Sequence, residues 1–290
     1  MNKAKLINWG LFVILSFIWG SSFILMKVSK EHLNGYQIGA IRILSAGLVF
    51  FPFAIYHFFK IPLQKIPLII LSGLLGNLLP AFLFAIAIEN NIDSSLAGIL
   101  NSLTPLFVIL LSVLFFKTKF QRKKVVGVVI GFIGLTVLSL SKGGITLNNL
   151  YYASLILLAT LLYGINVNLV SYYLKGIDPF KMATVSLAVI SILAGFIVWK
   201  QDIHLVLKNN KDAWISIVYA ATLGVVGSAI ATLLFYILIK RAGGLFASLV
   251  TYGIPVVAIF WGIIARENVT LIQVSCLAVI LGGVYLANRA

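Results

Sequence analysis

The sequence predicts an all-α integral membrane protein with ten transmembrane helices, arranged as two inverted five-helix repeats. Three observations predict this fold. The composition is too apolar for a soluble chain, ten apolar runs have about the length that a bilayer requires, and the second half of the sequence repeats residues of the first at a nearly constant offset.

The hydrophobic content decides the class of protein. Of the 290 residues, 61% are hydrophobic and only 10% are charged, and a soluble domain could not keep so much apolar surface from water. A spanning helix needs about 20 apolar residues, and the alternation typical of transmembrane barrel strands is absent. The predicted spans are 9–28, 36–59, 66–88, 96–116, 125–140, 151–174, 182–199, 214–239, 245–265 and 271–287.

The distribution of positive charge predicts the orientation. With a cytoplasmic N-terminus, fourteen Lys and Arg residues fall in the inner segments and seven in the outer ones. This bias predicts a multi-pass protein of a cell inner membrane with both termini in the cytoplasm. It also explains the net charge of +15 without a nucleic-acid partner. The first span is followed by no small-residue cleavage site and is expected to stay as an anchor.

An internal repeat divides the chain into residues 1–140 and 151–290, joined by a linker at 141–150. The clearest matches, at offsets from 144 to 151, are Trp19-Gly20 with Tyr163-Gly164, Asn34-Gly35-Tyr36 with Asp178-Pro179-Phe180, Gly73, Gly76 and Asn77 with Gly224, Gly227 and Ser228, and Thr104-Pro105 with Ile254-Pro255. Five spans in each half is an odd number, so the second repeat enters the membrane inverted. Inverted repeats are typical of secondary transporters, whose substrate site lies between the repeats near the midplane.

Matched helix breaks point to a polar cavity. Pro105 in the fourth span and Pro255 in the ninth each remove a backbone hydrogen bond, and the freed carbonyl needs a partner in protein or in a wet cavity. Polar residues share a helix face with each break. Asn101, Thr104, Thr251 and Tyr252 are therefore predicted to line a substrate cavity, with a packing kink as the alternative.

Further polar and aromatic residues at mid-span extend the predicted cavity. Asn77 could hydrogen-bond across helices or contact a ligand, and both readings stay open. Trp19 and Ser22 share a face of the first span, as Tyr163 and Asn166 do in the sixth, and core packing is the alternative for this set.

Arg42 is the one charge clearly inside a span. Its guanidinium cannot be neutralised, so it must pair, reach the interface or meet a ligand. The repeat has Ser186 at the matched position, which favours a structural or gating role over direct substrate contact. By contrast, the stripe of Gly127, Gly131 and Gly134, echoed by Ala278 and Gly282, has no polar companion. It predicts helix packing or a dimer seam.

The sequence lacks the residue sets that catalysis, ATP binding or metal binding would require. His32, His57 and His204 lie at span ends or in loops, and no catalytic Ser/His or Asp/His set shares one depth. No ATP-binding Walker A pattern is present, and the single cysteine, Cys276, excludes a disulfide framework and a cysteine-based metal site. The expectation is therefore neither an enzyme nor a protein with a cofactor or metal.

Three segments resemble EamA-type members of the drug/metabolite transporter superfamily. They are LSFIWGSSFILMKVS with Arg42, ENNIDSSLAGILNSLTPLFVILLSVLFF, and KRAGGLFASLVTYGIPVVAIFWGIIARE, and the resemblance covers residues 9–288. It implies ten helices, a central cavity between the first four helices of each half, export or exchange of small metabolites, often amino acids, and no prosthetic cofactor. In this family an acidic residue commonly follows the fourth and the ninth spans. This chain has Glu267 after the ninth span, but it has Lys117 at the matching position after the fourth.

The expected function is secondary transport of a small metabolite, in particular export of amino acids or related compounds by alternating access. The acidic residues fall in loops or at span ends, which favours a facilitator over proton exchange. The alternatives are a nucleotide-sugar or lipid translocator of the same superfamily and a non-transporting membrane scaffold. The expected oligomeric state is a monomer or a homodimer.

Overall fold

The fold is seen in a computed structural model that describes residues 3–140 apart from 91 and 93, residues 150–257 and residues 271–289. Every regular element within these residues is helical. The predicted all-α class is therefore confirmed. The predicted linker lies outside the described residues except for Leu150, and so do Glu267 and the end of the predicted ninth span.

Six described helices are long and apolar enough to cross a membrane. They are α1 (Lys3–Ser29), α2 (Gly35–Phe58), α3 (Leu63–Glu89), α7 (Leu150–Tyr173), α8 (Pro179–Lys200) and α10 (Ala213–Ala242). The other helices are shorter or less apolar: α4 (Ser94–Asn101), α5 (Thr104–Phe116), α6 (Arg122–Leu140), α9 (Ile203–Asn209), α11 (Gly244–Val257) and α12 (Leu271–Arg289). The ten-helix inverted arrangement stays a prediction.

The residues that begin α2 and α8 are those matched by the internal repeat. Asn34 Oδ1 accepts a hydrogen bond from Gln37 N at 2.9 Å, and Gln37 Oε1 accepts one from Asn34 N at 3.0 Å, which is a capping box. Asp178 Oδ1 accepts from the backbone N–H groups of Phe180 and Lys181. Both caps satisfy donors that a helix N-terminus leaves free, so they fix where these two helices begin.

Glycines allow the closest helix contacts. At Gly47 of α2, an added Cβ would lie 2.1 Å from Ser191 Cβ of α8, and at Gly224 of α10 it would lie 2.2 Å from the Arg42 carbonyl oxygen of α2. The backbones of these helices therefore touch, as small residues permit in membrane proteins. α2 packs against both α8 and α10, and this close contact holds Arg42 at a fixed depth.

The α6–α12 contact corrects one sequence interpretation. A Cβ at Gly127 or Gly134 would meet α12, and one at Gly131 would meet the Tyr252 ring of α11. By contrast, Ala278 and Gly282 are exposed, and a Cβ at Gly282 would meet no atom within 4 Å. The residue that packs is Gly283, where a Cβ would lie 2.6 Å from the Gly127 carbonyl oxygen. The packing face of α12 within the chain therefore lies one residue, about 100° around the helix, from the predicted stripe, and the alternative of a dimer seam stays a prediction.

Candidate functional site: a polar cavity between the two halves

A cavity lies between α1–α5 of the first half and α7, α10 and α11 of the second. The space open to the centres of water molecules is about 80 Å³. One water centre needs roughly 10–15 Å³ on this measure, so the cavity has room for several waters or a small organic molecule.

Eight of the nine residues that the sequence assigns to a substrate cavity line this one. They are Trp19, Ser22, Asn77, Asn101, Thr104, Tyr163, Asn166 and Thr251. These residues come from six helices and are separated by up to 232 positions in sequence. Their convergence means that the polar mid-span residues share one site rather than forming separate packing contacts.

Tyr252 is the exception and corrects the sequence interpretation. Its ring points away from the cavity toward α6, where its hydroxyl donates to the Val128 carbonyl oxygen at 2.8 Å. The ring is fully buried and leaves no space for a Cβ at Gly131. The backbone from Leu249 to Tyr252 is a 3₁₀ turn, in which neighbouring side chains diverge by about 120°. Thr251 therefore faces the cavity while Tyr252 packs against α6.

Helix interruptions precede both prolines, Pro105 and Pro255. α4 ends at Asn101 and α5 begins at Thr104, with Pro105 in its first turn. The carbonyl of Asn101 accepts a hydrogen bond from Thr104 Oγ1 at 2.6 Å. In α11 the 3₁₀ turn precedes Pro255, and the carbonyl of Ser248 accepts from Thr251 Oγ1 at 3.0 Å. A threonine hydroxyl thus bonds a backbone carbonyl at each break.

Two of the three cavity-lining amides accept hydrogen bonds from hydroxyl groups of the opposite half. Thr232 Oγ1 donates to Asn77 Oδ1 at 2.7 Å, and Ser72 Oγ donates to Asn166 Oδ1 at 2.7 Å. Tyr236 OH lies 2.8 Å from Ser72 Oγ and donates to it, because the single serine proton is already used. Asn77 therefore makes an interhelical hydrogen bond and also lines the cavity. Its position is compatible with both interpretations, a bond between helices and contact with a ligand.

Asn77 and Gly76 lie in a π-helical segment of α3, at Leu74–Leu78, and Gly227 and Ser228 lie in one of α10, at Val225–Ile230. A π turn leaves backbone carbonyls without their usual partners, and such turns occur frequently at functional sites. The Gly227 carbonyl accepts a hydrogen bond from Trp19 Nε1 at 3.1 Å. These irregular turns thus bring backbone polar groups to the cavity wall.

Aromatic and sulfur-containing side chains form the rest of the wall. Phe84 and Tyr163 stack with ring centroids 6.2 Å apart, and Phe23 packs against Phe84 at 6.3 Å. On the other side, Trp19 meets Phe235 edge to face at 5.2 Å. The site therefore combines a few hydrogen-bonding groups with an apolar lining, the usual character of a small-molecule site.

Arg42 is the one charged side chain among the described residues that line the cavity. It is 9% exposed, and its Nε donates to Ser228 Oγ at 2.7 Å. None of the acidic side chains in the described part of the chain forms an ion pair with it. The sequence predicts a structural or gating role for Arg42, and its position on the cavity wall also allows contact with a ligand.

Comparison with known proteins identifies the family. The model of the EamA-like transporter family matches residues 8–140 and again 150–289, which is nearly the whole chain. The chain belongs to this family. Residues of both EamA matches line the cavity.

Individual relatives of this EamA chain are distant, and two of the three named here extend over nearly its full length. The uncharacterized inner membrane transporter YedA of Escherichia coli is 27% identical over 97% of this chain and 90% of its own. An uncharacterized transporter of Archaeoglobus fulgidus is 26% identical over 97% and 99%. A probable amino-acid metabolite efflux pump of Salmonella typhimurium is 29% identical over 43% of this chain and 40% of its own.

A solved crystal structure of another protein has the same fold as this EamA chain, with a TM-score of 0.70 over 99% of this chain and 96% of that one. The two sequences are 18% identical, so the likeness concerns the fold alone.

Sequence reasoning missed much of the apolar wall of this EamA cavity. Phe23, Met26, Phe84, Val167 and Phe235 lie in apolar spans, where an apolar residue gives no sign of facing a cavity rather than lipid or core. The missed polar residues Thr232 and Tyr236 had a detectable signal, because hydroxyl groups at mid-span need partners. Thr232 could have been found as the residue one helical turn after Ser228.

Proposed function

We propose that the chain is a secondary transporter that exports amino acids or related small metabolites by alternating access around the central cavity. One observation carries the proposal: hydrogen-bonding side chains from both halves converge on a cavity whose wall includes five helices of membrane-spanning length, α1, α2, α3, α7 and α10. Such groups are costly in hydrocarbon, and a polar solute that crosses there needs them. The short match to a probable amino-acid metabolite efflux pump supports the substrate class.

The proposed architecture is ten helices in two inverted repeats, residues 1–140 and 151–290. Equivalent helices of the two halves, α2 with α8 and α6 with α12, pack against each other. Hydrogen bonds also cross between the halves at the cavity, from Trp19 to Gly227, from Arg42 to Ser228 and from Thr232 to Asn77. Rocking of one half against the other would exchange these bonds and alternately open the cavity to each side.

The decisive experiment is a screen of labelled solutes with the purified protein in proteoliposomes. The panel contains the twenty common amino acids, nucleotide sugars, lipids and neutral sugars, with protein-free liposomes as the control. The proposal expects flux of one or more amino acids. Flux of nucleotide sugars or lipids alone would assign the chain to another transporter class, and no flux of any solute would favour a scaffold.

The proposed location is a bacterial-type inner membrane, as YedA is named, with both termini in the cytoplasm. This orientation predicts that Lys123 and Lys208, both exposed, lie on opposite sides. We expect an impermeant thiol reagent added to intact cells to label Lys208→Cys and not Lys123→Cys, each in a Cys276→Ser background. Labelling of both positions would contradict the ten-helix topology.

The proposed transport mode is facilitated flux. No Asp, Glu or His is present among the described residues that line the cavity, so no carboxylate or imidazole there can carry a proton. Glu89 lies at the end of α3, where its Oε2 accepts a hydrogen bond from Gly35 N at 2.7 Å. Its contact is with the start of α2, and Glu89 is not part of the cavity lining.

A pH gradient tests this mode. With equal substrate on both sides of proteoliposomes, we expect an imposed pH gradient to produce no net accumulation, because binding by neutral groups and Arg42 releases no proton. The control is a substrate gradient without a pH gradient, which should drive flux. Uphill accumulation that a protonophore abolishes would contradict the facilitator, and Glu89→Gln would be the first variant to examine.

A further inference from the structure

The charge of Arg42 has no counter-charge in the described cavity. Its guanidinium stays protonated at any physiological pH and carries five N–H donors in a planar fork. Only Nε makes a hydrogen bond to a described residue, and its partner, the Ser228 hydroxyl, is neutral. A buried charge with a single neutral partner is costly. The terminal nitrogens of Arg42 are therefore suited to an anion that enters the cavity, and a planar fork matches a carboxylate best.

An independent observation concerns the acceptor groups of the same cavity. Asn101 lines it and is 8% exposed, and its Oδ1 has no hydrogen-bond partner within the described residues. Buried side-chain acceptors are nearly always paired, so an unpaired one calls for an explanation. Thr232 and Ser72 donate to the amide oxygens of Asn77 and Asn166, which leaves Asn101 Oδ1 as the free acceptor among the three lining amides.

We propose that the Arg42 guanidinium binds the carboxylate of a transported α-amino acid, while Asn101 Oδ1 accepts a hydrogen bond from its ammonium group. This inference rests on the transport function proposed above and adds the two residues that recognise the substrate. An unpaired cation and an unpaired acceptor complement the two charged ends of a zwitterion. The aromatic wall then contacts the substrate side chain.

A purely structural role for Arg42 makes a different prediction. If Arg42 only links α2 to α10 through Ser228, the link needs a hydrogen bond and no charge. Removing either partner would then lower the amount of folded protein and leave the affinity for substrate unchanged. The half-saturation constant for transport therefore separates recognition from structural support.

The first part of the test compares solutes in proteoliposomes that contain the wild-type chain. The probes are the twenty L-amino acids, their carboxamides, their decarboxylated amines and neutral sugars. We expect flux of amino acids and at least about tenfold less flux of the matching amides, which lack the carboxylate. Flux restricted to amides, amines or sugars would overturn the role of Arg42 while leaving a transporter. No flux at all would overturn the transport function itself.

The second part compares variants with the amino acid that shows the highest flux. Arg42→Gln is expected to raise its half-saturation constant about 10- to 100-fold. Arg42→Lys keeps the positive charge but loses the planar arrangement of N–H donors, so we expect a smaller rise in the half-saturation constant. This variant replaces Arg42→Gln in the test if Arg42→Gln does not fold. Ser45→Ala is the matched control. It removes the hydrogen bond of Ser45 Oγ to the Ala221 carbonyl oxygen at 3.2 Å, which links α2 to α10 without involving the guanidinium, and it should leave the constant near the wild-type value. Unchanged constants in both Arg42 variants would overturn the proposal.

Discussion

Gly283→Ala is expected to destabilise the protein strongly, whereas the same change at the adjacent Gly282 is expected to be harmless. A Cβ at Gly283 would lie 2.5 Å from Gly131 N, 2.6 Å from the Gly127 carbonyl oxygen and 2.8 Å from Gly131 Cα. All three are backbone atoms, so no side-chain rotation can relieve the clash and α6 and α12 must separate. Overpacking of this kind costs about 3 kcal/mol.

The control uses the same helix and the same substitution. Gly282 is exposed, and a Cβ there meets no atom within 4 Å. Alanine favours a helix by about 1 kcal/mol relative to glycine, so Gly282→Ala should leave the melting temperature unchanged or raise it. The two neighbouring variants are therefore expected to shift stability in opposite directions.

The single cysteine of the chain can report the separation of α12 from α6 on unfolding. Cys276 is the only cysteine, it is 5% exposed, and its carbonyl lies at the contact with Gly134. A thiol-reactive dye should therefore react only when α12 leaves α6, which gives a melting curve in detergent. Equal melting temperatures for the two variants would contradict the assigned packing face.

The error in the face of α12 has a physical cause. A membrane helix that is apolar all round has no polar side to orient it, so its sequence does not reveal which residues point inward. The glycines of α6 recur at helical spacing, and they do pack against other helices, Gly127 and Gly134 against α12 and Gly131 against Tyr252. On α12, Gly282 and Gly283 are adjacent, and only tertiary contacts distinguish them.

Six of the spans, and the interruptions before Pro105 and Pro255, could be predicted because their sequences carry a clear signal. In a bilayer every backbone polar group must be satisfied within the helix, so long apolar runs become helices and a proline marks an interruption. The internal repeat matched Asn34 with Asp178 without assigning them a role, and the structure shows that each caps a helix. The π-helical turns in α3 and α10 were not predicted, because their glycines are equally compatible with a regular helix.

Polar cavity residues were predicted better than aromatic ones, because a polar side chain in an apolar span must find a partner. For Tyr252 this reasoning gave the wrong position. Its hydroxyl does find a partner, the Val128 carbonyl, but in the interface with α6. The direction of a side chain within an irregular 3₁₀ turn depends on local backbone geometry that hydropathy does not encode.

Asn101→Leu is expected to reduce transport at least about tenfold without loss of stability. The buried Oδ1 of Asn101 has no partner among the described residues, and a buried polar atom without a partner costs about 1–3 kcal/mol. Leucine has nearly the same shape and carries no polar atom. The melting temperature should therefore stay constant or rise, while the acceptor proposed for the substrate ammonium is lost.

Asn168→Leu is the matched control in α7. Its Oδ1 accepts from Ser112 Oγ, and its Nδ2 donates to the carbonyls of Val108 and Gly164 at 3.2 and 2.9 Å. Removing this satisfied amide leaves several groups unpaired, so we expect a loss of about 1–3 kcal/mol and a lower melting temperature. Asn168 does not line the central cavity, so the flux per folded molecule should change little.

The comparison requires flux and melting temperature for both variants at equal amounts of folded protein in proteoliposomes. Function and stability should separate, with Asn101→Leu stable and inactive and Asn168→Leu active and less stable. Such separation is expected where a polar group is retained for a ligand at some cost to the fold. Wild-type flux by Asn101→Leu would remove Asn101 from substrate recognition. A stability loss like that of Asn168→Leu would mean that its amide is already satisfied inside the protein.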